Sequence, residues 1–119
     1  MKNRIFAGVA VAAVIGLGAV ATPASASGFP GNYTVINTGT IGVASRYAPY
    51  LNAIDGYGAP AGGTVTVYCF VFGDPVGPYN NRLWHLVSYL GHNFYAPDRY
   101  LSTPTVTTNV PPPDEYGCQ

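Results

Sequence analysis

Thr64-Val65-Thr66-Val67-Tyr68-Cys69-Phe70-Val71-Phe72 is the stretch that decides the fold class. Every position but Cys69 is β-branched or aromatic, and such side chains fit a pleated surface. With a period of two, Val65, Val67, Cys69 and Val71 share one face, and Thr64, Thr66, Tyr68, Phe70 and Phe72 share the other. Neither face carries a charge, so partial cover on both sides is expected.

Toward the C-terminus, Gly73–Asn81 has the Gly, Pro, Asp and Asn of a hairpin loop. Leu83–Tyr89 follows as a second strand, with Trp84, Leu86 and Ser88 on one face and His85, Val87 and Tyr89 on the other. Gly91-His92-Asn93 turns the chain, and Phe94-Tyr95-Ala96 begins a third strand. Pro97-Asp98-Arg99-Tyr100 suits one tight helical turn with Pro97 at its start. Leu101-Ser102-Thr103 reads as a last short strand, and Pro104–Gln119 as an extended tail with polyproline II at Pro111-Pro112-Pro113. Toward the N-terminus, Tyr33–Ile36 and Ile41–Val43 are short β-prone runs. Tyr47–Gly63 is turn-rich, and Tyr50–Ile54 inside it fits either a strand or a helical turn. With 15 Gly and 11 Pro in 119 residues, no segment after the leader keeps helical periodicity. Several short strands between turns imply a small all-β barrel or sandwich.

The first residues have a different logic. Lys2 and Arg4 precede an apolar run from Ile5 to Ala21, followed by Pro23-Ala24-Ser25-Ala26. A basic start, an apolar centre and a small-x-small exit make a secretory signal peptide. The run is short, and too rich in glycine, for a membrane anchor. The expectation is a secreted, extracellular protein, with cell-wall association allowed. Cleavage after Ala26 leaves Ser27–Gln119, a single domain with three arginines against five carboxylates and a net charge of −2. That balance excludes nucleic acid and anionic membrane as partners. In an exported chain the even pair Cys69 and Cys118 reads as a disulfide that ties the tail to the strand.

Gly63-Thr64-Val65-Thr66-Val67-Tyr68-Cys69, Leu83-Trp84-His85-Leu86 and Tyr95-Ala96-Pro97-Asp98-Arg99-Tyr100-Leu101, with a Pro-rich tail ending in Cys118, resemble the second half of bacterial SH3-like domains. The stand-alone secreted form found in actinobacteria is the nearest in pattern. Ile41–Pro49 stands where that family shows L-N-V-R-S-G-P; it keeps the apolar pair and Pro49 but displaces the arginine to Arg46. The resemblance spans roughly residues 41 to 118. It implies a small five-stranded SH3-like barrel with a short 3-10 turn and a disulfide-pinned tail. The expected division is 1–26 signal peptide, 27–40 leader with room for a first strand, 41–103 SH3-like domain and 104–119 Pro-rich tail. The resemblance also implies a monomeric binding module for peptidoglycan or another extracellular peptide or protein.

Chemistry-bearing patterns are sparse. His85 and His92 lie seven apart with no free cysteine, which is no metal-ligand spacing. No Gly-x-Ser-x-Gly elbow occurs, and the adjacent pair Asp114-Glu115 reads as a solvated acidic patch. No catalytic residue, metal or cofactor is assigned. The ten tyrosines and single tryptophan carry the remaining signal, because tyrosine joins an apolar face to a polar tip. Tyr47, Tyr50, Trp84, Tyr95 and Tyr100 are the candidates for an aromatic groove that takes wall peptide or glycan. Competing readings are an inhibitor of an extracellular enzyme, presenting Gly73–Asn81 stiffened by Pro75 and Pro78, a small wall hydrolase, and a purely structural role.

Overall fold

The computed structural model describes residues 30–104 and 112–119. The segment expected to be a signal peptide and part of the Pro-rich tail lie outside the described residues. Six strands form one antiparallel sheet: β1 (Gly31–Thr34), β2 (Val43–Arg46), β3 (Ile54–Ala59), β4 (Thr64–Val76), β5 (Asn81–Tyr89) and β6 (His92–Pro97). Their order across the sheet is β1-β4-β5-β6-β2-β3.

This order corrects the expectation of a closed five-stranded SH3-like barrel. The sheet is open, because the outer strands β1 and β3 do not pair with each other. The isolated bridge Val35–Leu101 links the chain after β1 to the segment after β6, where Leu101–Thr103 forms no strand of its own. The sixth strand arises because Gly31–Thr34, in the segment read as leader with room for a first strand, pairs with Val67–Thr64 of β4. In β3 the turn-rich reading of Ile54–Ala59 fails for a packing reason: a Cβ at Gly58 would come within 2.8 Å of the Phe94 ring and of the Val43 carbonyl oxygen. Glycine is there for close approach, not to make a turn.

The long β4–β5 hairpin forms the centre of the sheet. β4 runs on through Gly73–Val76, so the expected nine-residue loop shrinks to a tight turn over Gly77–Asn80, in which Gly77 (φ 79°) and Asn80 (φ 52°) are left-handed. Pro75, one of the two prolines of that expected loop, therefore lies in β4, and Pro78 lies in the turn. A register shift between Val67 and Cys69 also overturns the simple alternation of β4. Val65 and Val67 point inward before it and Phe70 after it, while Tyr68 and Phe72 are exposed. A β-bulge adds one residue and rephases everything beyond it.

One core cluster holds Val35, Val43, Val65, Val67, Val87, Phe94 and Leu101, with Tyr33, Tyr89 and Tyr100 packed against it. The turn at Pro97–Tyr100 is a 3-10 turn over Asp98–Tyr100, and a second one covers Asp114–Tyr116. The tail is pinned by the Cys69–Cys118 disulfide and by the Cys118 N–H, which donates to the Phe70 carbonyl at 2.8 Å.

Candidate functional site

The five aromatic candidates do not form one groove. Trp84 is fully buried, and its indole N–H donates to the Asp74 carbonyl at 2.9 Å. It is a core residue, as a central strand covered on both sides requires. Tyr95 is half-buried on β6, opposite Arg46 and Leu86. Tyr47 (69% exposed) and Tyr50 (51%) lie in the β2–β3 connection. Tyr100 is half-buried against the core and is the one candidate that lines the cleft described next.

That cleft, about 370 Å³, lies between the loop before β2 and the first 3-10 turn. Thr38, Ile41, Val43, Arg46 and Tyr100 are among its walls. The loop is held open by local geometry. Asn37 (φ 60°) and Gly39 (φ 62°) are left-handed, and the Asn37 amide donates to the Arg99 carbonyl at 3.0 Å. Asn and Gly are the residues that tolerate this region. Gly42 packs where no Cβ fits, since one would come within 2.9 Å of the Tyr57 hydroxyl. The outer strand β3 therefore borders the rim of the cleft.

Arg46 is the residue that sequence reasoning missed as a site residue. It is only 9% exposed, and its guanidinium lies over the Trp84 ring at 5.7 Å. Its Nε–H donates to the Leu51 carbonyl at 3.3 Å. Among the described residues no carboxylate pairs with it. Burial lowers its pKa from the ordinary value, and the nearby Tyr100 phenol opposes that shift. The Thr38 hydroxyl in the same cleft is buried and has no protein partner. The one signal in the sequence was the arginine displaced from its place in the SH3-like pattern.

A second cluster joins β2, β3 and β6. Ser45 Oγ lies 2.7 Å from Asp55 Oδ1 and 2.9 Å from His92 Nε2. These are the residue types of a nucleophilic triad, but the order differs. In a triad the carboxylate holds the histidine and the histidine faces the serine. Here both partners face the serine: the hydroxyl donates to Asp55, and His92 Nε2 meets the same oxygen. The carboxylate meets the serine rather than the histidine, and Ser45 is 1% exposed. The cluster stitches three strands together.

The third polar group is internal. Asp98, fully buried, accepts from His85 Nε2 at 2.8 Å, from Asn81 Nδ2 at 2.8 Å and from the Thr103 hydroxyl. It anchors the 3-10 turn beneath the cleft to β5. Among the described residues no three His, Cys, Asp or Glu side chains are grouped to hold a metal. Comparison with protein-family models, with curated proteins and with solved structures finds no match to this chain.

Proposed function

We propose that the chain is an exported, non-catalytic binding domain that contacts extracellular peptide or glycan, such as that of the cell wall. The carrying observation is the β2–β3 hairpin at the open edge of the sheet, where Tyr47, Tyr50, Leu51, Ile54 and Tyr57 are all 43–69% exposed. Large apolar side chains concentrated on one exposed element mark a contact surface rather than a core. Tyrosine supplies rigid apolar area and a hydrogen-bonding tip to either a sugar ring or a peptide. Among the described residues strand β3 has one unpaired edge, where an extended peptide can add by backbone hydrogen bonds. The signal segment and the Cys69–Cys118 disulfide favour an oxidising compartment. The serine-centred arrangement of Asp55 and His92 favours binding over hydrolysis.

The test is co-sedimentation of the purified protein with protein-free cell walls at low and moderate salt. Retention in the pellet that survives moderate salt, and that drops with Tyr47→Ala or Tyr57→Ala, is the expected result. A protein left in the supernatant at both salt levels refutes the wall reading.

A further inference from the structure

We infer that the Arg46 cleft is a binding site for one carboxylate borne by a small apolar residue, the group that ends a peptide chain. The inference names a ligand group for the binding domain proposed above. It rests on that reading only for the idea that the domain meets peptides, since occupancy of the cleft and retention on walls are separate measurements.

The argument starts from an imbalance. Burying a cation requires a counter-charge or a full set of acceptors. Arg46 has the Trp84 face and one carbonyl at 3.3 Å, and no carboxylate. Among the described residues its Nη groups have no protein acceptor, and they are open to the cleft rather than enclosed. In the same cleft the buried Thr38 hydroxyl has no partner among the described residues either. A planar guanidinium beside a hydroxyl donor matches the two oxygens of a carboxylate. The phenol of Tyr100 is a further donor in the same lining.

The same walls set the ligand's charge and size. Among the described residues Arg46 is the one cationic side chain lining the cleft, and no helix of useful length is present to point its N-terminus there. One positive charge balances a monoanion and leaves a phosphate dianion half neutralised. Ile41, Val43 and Ala44 make the remainder of the lining apolar, and the volume of about 370 Å³ suits a residue with a short aliphatic side chain. The rim meets β3 at Tyr57, so the chain leading to the terminal residue has a path along the exposed hairpin.

Trp84 is the only tryptophan and sits against Arg46, so its emission reports on the cleft. The experiment titrates the purified protein with N-acetylalanine, N-acetylalanine amide and inorganic phosphate. Backbone amide shifts at Thr38 and Ala44 provide a second readout. A saturable change with the acid in the millimolar range is expected, with the amide and phosphate each about tenfold weaker or worse. Arg46→Met should abolish the response. Thr38→Val, a near-isosteric change in the loop before β2, should weaken it by about three- to tenfold while leaving the fold intact. Four outcomes each overturn the inference: no saturable response, equal response to the amide, equal or tighter binding of phosphate, or an unchanged affinity in Thr38→Val.

Discussion

Replacing both cysteines, Cys69→Ala with Cys118→Ala, is the perturbation whose size follows most directly from the chain. The bridge spans 49 residues of sequence. In the chain-entropy model, a closed loop of that length restricts the unfolded ensemble by about 4 kcal/mol at room temperature. On the native side the bridge adds little, because the tail holds Phe70 through a single parallel bridge at Gly117 and one hydrogen bond from Cys118. Losing that cover exposes Phe70, now 7% exposed, at a further cost of about 1 kcal/mol. Small domains have only about 5–15 kcal/mol in total, so the variant should sit near the limit of folding. Urea unfolding followed by Trp84 emission, with linear extrapolation, measures the loss. The entropic argument makes a second demand. An uncrosslinked unfolded chain is more expanded, so the m-value should rise while the native spectrum stays unchanged. A loss under about 1 kcal/mol with an unaltered m-value would refute the reasoning and place the tail's attachment in its contacts instead.

Two further substitutions probe the supports of the cleft. Asp98→Ala strands His85, Asn81 and Thr103 donors in the interior, and should cost about 3–5 kcal/mol in thermal or urea unfolding, with Asp98→Asn intermediate. Gly73→Ala places a Cβ 2.7 Å from Pro49 Cβ and over its carbonyl, which breaks the Asp74 N–H bond to Pro49 and frees the loop at Leu51. About 1–3 kcal/mol of destabilisation is expected, with loss of hydrogen-exchange protection at Asp74 and Leu51.

The parts of the fold legible in the sequence are those where propensity and tertiary position agree. β4 and β5 are rich in β-branched and aromatic residues because they lie inside the sheet, and Pro97 marks the boundary where β6 ends and the 3-10 turn begins, as the extended residue just before it. The illegible parts are strands made by neighbours rather than by composition. Gly31 in β1 and Gly56 and Gly58 in β3 argue locally against strand, and only the pairing with β4 and the Phe94 ring makes them one. Whether a sheet closes depends on its two outer strands meeting, and nothing within either strand encodes that. The SH3-like pattern at 63–104 implied a closed five-stranded barrel, which the open six-stranded sheet contradicts.

The site was hidden for a related reason. Register shifts between Val43 and Ala44 and between Ser45 and Arg46 break the alternation of β2, so the consecutive residues Ser45 and Arg46 are both buried. A regular strand with one covered face cannot do this, and bulges commonly re-aim a side chain beside a site. Ser45 turns to Asp55 and His92, while Arg46 turns across to Trp84. If Arg46 were there for stability, an unbranched apolar chain would serve better. Desolvating a guanidinium costs several kcal/mol, whereas the contact with Trp84 and one long hydrogen bond return about 2–3 kcal/mol. Arg46→Met keeps much of the packing over the indole and removes the charge, so its unfolding free energy should equal or exceed that of the parent protein by up to about 2 kcal/mol, even though the cleft no longer takes a carboxylate. A destabilisation of more than about 2 kcal/mol would make Arg46 a structural prop and remove the imbalance from which a ligand was inferred. An unfolding free energy that holds or rises in Arg46→Met would show that Arg46, placed by a bulge in the lining of an open cleft, has its explanation in what the cleft binds.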